Sequence, residues 1–292
     1  MRAHLVDGTY ELFRHHYGLP AAVREKGTRT AATRGVLGSV LALLEEGATH
    51  VGVATDHVIE SFRNELWPGY KDGAGVPEDL TAQFPLLEEA LEAMGVPVWA
   101  MVELEADDAL ASAAAVVADE DAAEQVVICT PDKDLAQCVV GQRVVQLDRR
   151  AGVVFDEAGV QAKFGVPPAS VPDWLAVVGD SSDGYPGLSG WGPKAAAAVL
   201  RRYGHLEDVP ALGERWDVDV RGARALAATL REKWDLAMLF RELAVLRVDR
   251  SLLGSVEELR WHGPTPAFAA MCERLDAPRL AERAEAVAAR QP

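Results

Sequence analysis

The sequence predicts an α/β protein with a parallel sheet in its first half and a mostly helical second half. Short apolar runs alternate with helical stretches as far as residue 129. After Phe164 the apolar residues follow a helical spacing almost to the end of the chain. Strands that alternate with helices favour a parallel sheet with helices on both faces.

Four apolar runs are predicted as the parallel strands, over residues 3–6, 51–55, 96–101 and 125–129. Apolar residues at helical spacing predict intervening helices over residues 33–46, 77–94 and 105–117. Two short runs, over residues 143–147 and 153–155, predict a hairpin at the sheet edge.

Composition bounds the class of protein. The chain has 292 residues, of which 49% are hydrophobic, so it can bury a large core and is not predominantly disordered. It lacks an apolar run long enough for a membrane span and a secretory leader pattern, which predicts a cytoplasmic protein with no membrane partner. Pro167-Pro168 marks the predicted boundary between a domain of residues 1–167 and a helical domain of residues 168–292.

The net charge of −16 argues against a general nucleic-acid binder, because phosphates are contacted by basic surfaces. The acidic residues are concentrated in the first half, and many of them follow the predicted strands. Since the carboxyl ends of parallel strands meet at one edge of a sheet, we expect these acids to lie close together. With the acids of the Gly179–Asp183 segment, they are Asp7, Asp56, Glu105, Asp107, Asp108, Asp132, Asp134, Asp180 and Asp183.

Such a cluster needs neutralisation, because two like charges about 4 Å apart repel by roughly 4 kcal/mol at an effective dielectric of 20. Oxygen ligands without His or Cys suit hard cations, so the sequence predicts Mg²⁺ or Mn²⁺. A pair of such ions suits phosphoryl chemistry. For any single acid, a helix cap or a solvated loop residue remains the alternative interpretation.

The motifs that contain these acids, in their order along the chain, carry a family resemblance. Asp7-Gly8, Glu105-Ala106-Asp107-Asp108, Asp132-Lys133-Asp134 and Gly179-Asp180-Ser181-Ser182-Asp183 occur in the order found in 5′-nucleases. The chain resembles the 5′-3′ exonuclease domain of bacterial DNA polymerase I, in a free-standing form, and the related flap endonucleases. The resemblance runs from Asp7 to at least Leu200.

The resemblance implies a PIN-like nuclease domain, a helical arch at about residues 57–95, and a helix–three-turn–helix DNA clamp in the second domain. It implies structure-specific 5′-3′ exonuclease and 5′ flap endonuclease activity on DNA, with two metal ions, in DNA replication and repair. Asp7, Asp56, Glu105 and Asp107 match the first-metal group, beside Asp108. Asp132, Asp134, Asp180 and Asp183 match the second-metal group.

Basic and glycine residues carry the implied contacts with DNA. Arg63 and Lys71 match arch residues that approach the scissile phosphate, and Arg14 matches another phosphate contact. Gly190, Gly192 and Lys194 open a predicted helix over residues 193–203, where free N–H groups suit a phosphate. The resemblance adds a K⁺ ion held by backbone carbonyls of this turn.

One departure from the family pattern keeps an alternative function open. Ala74 stands where members often carry an arch arginine, so a catalytically weakened protein that binds branched DNA is an alternative. A second alternative is a haloacid dehalogenase-type phosphatase, which Asp7-Gly8-Thr9 also resembles. Val6, however, stands where that family has a second acid. The expected partners are DNA 5′ ends, flaps and branched junctions.

Overall fold

The computed structural model describes residues 1–20 and 29–290. Within them the chain forms two compact units that interleave along the sequence. The first unit comprises Met1–Ile59, Gly73–Thr130 and the chain from Val248 on, and the second comprises Glu60–Asp72 and Pro131–Arg247. The division predicted from the sequence, at residues 167 and 168, remains a prediction.

A parallel sheet forms the centre of the first unit. Its strands are β1 (Arg2–Asp7), β2 (His50–Asp56), β3 (Val98–Met101) and β4 (Gln125–Cys129), in the order β3-β2-β1-β4. Strand β2 is buried along its whole length, as expected for a strand covered on both faces. The predicted parallel sheet is therefore confirmed, and Asp7 and Asp56 lie at the carboxyl ends of β1 and β2.

Helices of the first unit follow the strands. They are α1 (Gly8–Tyr17), α2 (Ala31–Glu45), α4 (Glu78–Thr81), α5 (Gln83–Ala93), α6 (Ala106–Ala118), α12 (Phe268–Arg274) and α13 (Pro278–Ala288). A 3₁₀ turn at Val256–Leu259 precedes α12. Where residues 105–117 were predicted as a helix, α6 begins and ends one residue later.

The helix predicted over residues 77–94 is instead two helices, α4 and α5, that meet at Ala82. The physical reason is Pro85, which has no N–H to donate to the carbonyl of Thr81 and whose ring would crowd that carbonyl. The side chain of Gln83 donates to the carbonyl of Asp79 at 2.8 Å and so satisfies one of the groups at the break. The predicted single helix was wrong for this reason.

The second unit consists of a β-hairpin and, for the most part, helices. Strands β5 (Val144–Asp148) and β6 (Val153–Phe155) pair antiparallel, which confirms the predicted hairpin. The helices are α3 (Phe62–Leu66), α7 (Glu157–Phe164), α8 (Val171–Val178), α9 (Pro193–Tyr203), α10 (Ala223–Glu232) and α11 (Trp234–Ala244), with 3₁₀ turns at Asp134–Cys138, Pro168–Ser170, Leu206–Asp208 and Gly213–Arg215.

Large aromatic side chains fill the core of the second unit. Tyr185 and Phe240 are almost completely buried, with ring centroids 5.4 Å apart, and Trp67 meets Phe240 edge-on at 5.1 Å. The predicted helix over residues 193–203 is confirmed by α9. In the part of the chain that the structure describes, each helix is too short or too polar to cross a bilayer.

Candidate metal centre

Three carboxylates of the second unit converge on one point. Oxygen atoms of Asp134, Asp180 and Asp183 all lie within 4.8 Å of one another, and the three residues are buried. Asp134 begins the 3₁₀ turn at Asp134–Cys138, and the other two follow α8. Because the three residues come from two separate stretches of chain, the cluster depends on the tertiary fold.

The loop that carries Asp180 and Asp183 is closed by its own backbone. The N–H of Asp180 donates to the carbonyl of Tyr185 at 2.9 Å, and the N–H of Tyr185 donates back at 3.1 Å. Gly179 and Gly187 let the loop ends come together at positive φ, 86° and 67°. A Cβ at Gly179 would lie 2.4 Å from the carbonyl carbon of Pro186, so both ends require glycine.

Electrostatics in the cluster favour a bound cation. Burial first, and then the charges of Asp183 and Asp132, raise the pKa of Asp134 well above its usual range, while Lys71 opposes the shift. The Oδ1 atom of Asp134 is buried and has no hydrogen-bond partner among the described residues. Such an oxygen is costly to leave unsatisfied, and a hard divalent cation is the ligand that this all-carboxylate set fits.

The neighbouring Asp132 is half-buried and shapes the turn rather than joining the three convergent oxygens. Its Oδ1 atom accepts a hydrogen bond from the N–H of Asp134 at 3.0 Å. Its carbonyl accepts a hydrogen bond from the side-chain amide of Gln146. Asp132 therefore fixes the backbone from which Asp134 enters the cluster.

Two lysines touch the cluster. The ammonium of Lys71 lies 3.2 Å from Oδ1 of Asp183, and its backbone N–H donates to the Asp183 carbonyl at 3.0 Å. Lys133 forms an ion pair with Asp180. The sequence predicted Lys71 as a site residue but missed Lys133, although it lies between Asp132 and Asp134.

Tyr185 was also missed. It is 1% exposed, and its hydroxyl is buried without a hydrogen-bond partner in the described structure. Burial, followed by the charge of Asp134, raises its pKa, so the phenol stays protonated next to the acids. The sequence around Tyr185 did not indicate that its hydroxyl would lie next to the acids.

Arg63 is almost completely buried in the second unit. It is 1% exposed; its Nε donates to the carbonyl of Leu243 at 2.8 Å and its Nη2 to that of Val245 at 3.2 Å. The guanidinium therefore satisfies carbonyls at the end of α11. The predicted contact of Arg63 with a phosphate stays a prediction. The burial of its side chain depends on packing that the local sequence does not reveal.

The remaining predicted acids lie in the first unit. Asp7 accepts hydrogen bonds from the N–H of Tyr10 and the hydroxyl of Thr130, both at 2.8 Å, and so caps α1. Asp56 accepts from the N–H of Ala106 at 2.7 Å, which ties the end of β2 to the start of α6.

At the start of α6, Glu105 and Asp108 form a capping box that orders the first turn. Asp108 accepts from the N–H of Glu105 at 2.9 Å, and both residues are buried. Asp107, between them, is half-buried. The structure thus joins Asp56 to the segment that carries Glu105, Asp107 and Asp108.

The predicted DNA contacts divide between the units. In the second unit, Gly190 has φ of 86° and Gly192 precedes α9, with Pro193 and the exposed Lys194 in its first turn. This leaves backbone N–H groups facing outward at the helix start. In the first unit, Arg14 forms an ion pair with the buried Glu11 and donates to the hydroxyl of Ser39 at 3.0 Å.

Comparisons with known proteins match nearly the whole chain. Models of the 5′-3′ exonuclease N-terminal resolvase-like domain and of the 5′-3′ exonuclease C-terminal SAM fold match residues 2–165 and 166–267. The 5′-3′ exonuclease of Aquifex aeolicus is 31% identical over 244 residues, 83% of each chain. DNA polymerase I of Pseudomonas aeruginosa is 34% identical over 265 residues, 87% of this chain and 28% of that protein. The chain therefore spans under a third of the curated polymerases it matches.

Solved structures share the fold. The phage T5 5′-exonuclease with bound zinc ions has a TM-score of 0.65 at 17% identity, over 98% of each chain. The catalytic core of Rad2 in complex with a DNA substrate has a TM-score of 0.63 at 15% identity, over 98% of this chain and 91% of that one.

Proposed function

Since the chain belongs to the 5′-3′ exonuclease family, we propose that it hydrolyses DNA phosphodiester bonds at 5′ ends and 5′ flaps, with divalent metal ions. The observation that carries the proposal is the convergence of Asp134, Asp180 and Asp183, with one buried oxygen of Asp134 unsatisfied. Family membership also removes the phosphatase alternative.

The ligand chemistry favours Mg²⁺ or Mn²⁺. Asp134, Asp180 and Asp183 would hold one ion, with Asp132 beside them. Asp7, Asp56, Glu105, Asp107 and Asp108 are proposed to serve the other. Bound ions would activate the attacking water and stabilise the charge that develops on the phosphate.

Lys71 is proposed to act on the scissile phosphate. Its side chain is 31% exposed, and its ammonium lies 3.2 Å from Asp183 at the rim of the acidic cluster. A cation there stabilises charge that grows in the transition state. Arg63 is the second residue proposed for this role, and its guanidinium is buried against backbone carbonyls in this structure.

Binding of the DNA backbone is proposed for the turn before α9. The backbone N–H groups that follow Pro193 in the first turn of α9, together with the side chain of Lys194, suit a phosphate and read no sequence. Backbone carbonyls of the same turn are the proposed K⁺ site. Arg14 is a further proposed phosphate contact in the first unit.

Cellular role follows from the same chemistry. DNA flaps and 5′ ends arise in replication and repair. Cys129, Cys138 and Cys272 form no disulfide within the described residues, as expected in a reducing compartment. We therefore propose a cytoplasmic protein of DNA replication or repair.

A second candidate is a weakened nuclease that binds branched DNA. The observation that favours it is Ala74, exposed in the predicted arch where related proteins often carry arginine. Tight binding of branched DNA without turnover in Mg²⁺ would support this candidate.

The test is cleavage of a labelled 5′-flap oligonucleotide by purified protein in Mg²⁺, with EDTA as the blank. We expect Asp183→Asn to lose at least about 100-fold in rate, since even the outer partners of metal ligands cost 10–100-fold. The matched control is Asp219→Asn, which removes an exposed acid of the same unit. Normal cleavage by Asp183→Asn would refute the metal assignment. The original chain should not hydrolyse nitrophenyl phosphate, which is a phosphatase substrate.

A further inference from the structure

A buried acid holds the chain on both sides of Asp56. Glu88 lies in α5, on a face whose neighbours Phe84, Leu87 and Leu91 are buried, and its side chain is only 10% exposed. Its Oε1 accepts a hydrogen bond from the Thr55 hydroxyl at 2.8 Å. Its Oε2 lies 2.7 Å from Nδ1 of His57. One carboxylate therefore fixes both the residue before and the residue after Asp56.

The Asp56 carboxylate bonds the start of α6, whereas Glu88 lies in α5. The Oδ1 atom of Asp56 accepts from the N–H of Ala106 at 2.7 Å, and its backbone N–H donates to the hydroxyl of Thr9 at 2.8 Å. Thr55 lies in β2 and His57 directly follows its end, so Glu88 contacts the chain on both sides of Asp56. Glu88 thus restrains the chain at Asp56 through the two residues that flank it.

Packing alone does not account for Glu88. Burying a carboxylate within an apolar helix face costs folding free energy. Replacing a buried, hydrogen-bonded charge by an apolar residue of similar size often leaves the stability of the protein unchanged or raises it. Its hydrogen bonds instead specify one orientation of the end of β2. Orientation matters most for a carboxylate that must hold a cation, because ligand geometry depends on such outer partners.

We propose that Glu88 is a positioning residue for Asp56, acting through Thr55 and His57 to fix the direction of the Asp56 carboxylate toward a divalent cation. The proposal rests on the proposed function, in which Asp56 is a metal ligand. Glu88 itself does not touch the cation. His57 transmits the restraint through Nδ1, and its ring is 41% exposed.

The first test is a titration of the full chain with Mn²⁺, without DNA, by calorimetry. Glu88→Gln keeps the shape and removes the charge, so we expect about tenfold weaker Mn²⁺ binding. The matched control is Glu89→Gln on the same helix, where the side chain is 55% exposed and bonds Arg274 at 2.7 Å. The control should bind Mn²⁺ within about twofold of the original chain.

A second variant protects the test against a folding defect. His57→Asn removes the ring at a partly exposed position and should weaken Mn²⁺ binding in the same direction. For each variant the melting temperature is measured in EDTA. A lower melting temperature with unchanged Mn²⁺ affinity in both variants would mean a structural role only, and would overturn the proposal.

The path through Asp56 is tested by a double-mutant cycle. In an Asp56→Asn background, the further change Glu88→Gln should cause no additional loss of Mn²⁺ affinity, because residues that act as a unit are not additive. An equal tenfold loss in that background would show that Glu88 acts elsewhere. Flap cleavage is measured separately: if the original chain does not cleave DNA but the Mn²⁺ results hold, the proposed function fails and the positioning role stands.

Discussion

Replacing Asp134 by Asn should stabilise the protein in the absence of metal. At 4.8 Å, each pair of like charges in the cluster repels by about 3.5 kcal/mol at an effective dielectric of 20. Lys71 and Lys133 contact the other two acids and cancel much of this. We therefore expect a net gain of about 2 kcal/mol at pH 7, or about 4 °C in melting temperature for a chain of this size.

The raised pKa of Asp134 determines how the stabilisation by Asp134→Asn should change with pH. The folded chain holds this proton more tightly than the unfolded chain, so its contribution to stability is present at low pH. The contribution is lost as the pH rises above the ordinary carboxyl pKa of about 3.9 toward the raised value. Asn cannot titrate, so the advantage of Asp134→Asn should be absent near pH 4 and grow at higher pH.

Thermal melts in EDTA and in Mg²⁺, from pH 4 to pH 8, are the assay. In Mg²⁺ the order should reverse, because the original chain gains about 2.7 kcal/mol when the ion is at 100 times its dissociation constant. Asp219→Asn, which changes an exposed side chain, is the control and should leave the melting temperature unchanged. A variant that is less stable than the original chain in EDTA at pH 7 would refute the electrostatic reasoning.

Two further substitutions separate binding from rate. Lys194→Ala, in the first turn of α9, should weaken binding to duplex DNA and flatten the slope of log affinity against log salt by about 0.9. Binding isotherms at several salt concentrations measure this slope. An unchanged slope would place the clamp elsewhere. Lys71→Ala should lower the single-turnover cleavage rate by about 100-fold with little change in binding, and a loss confined to binding would contradict its contact with the scissile phosphate. Lys233→Ala, exposed in the same unit, is the control for both.

Strand positions could be predicted because each strand carries a local signal. The run that became β4 was predicted with both ends correct, since it is apolar and bounded by polar residues. The break between α4 and α5 also had a local signal, Pro85, but the apolar periodicity on both sides of it predicted one helix. Periodicity reports which face is buried and does not report whether the backbone hydrogen bonds are continuous.

The candidate site could be predicted only in part. Motif order indicated the acids, and the structure brings Asp134, Asp180 and Asp183 together; the full set of nine remains a prediction. The placement of Arg63 could not be predicted, because its carbonyl partners are 180 and 182 residues away in sequence. For Glu88, an acid on an apolar helix face was a visible signal, but its partners were known only from the fold.

The three convergent acids have an evolutionary consequence. Asp134 falls within the segment matched by the N-terminal family model, residues 2–165, whereas Asp180 and Asp183 fall within the C-terminal one, residues 166–267. A chimera joined at that border between two homologues would combine a turn from one parent with a loop from the other in a single carboxylate cluster. We therefore expect a chimera joined at this border to keep the cluster only when the backbones of its two parents agree closely there.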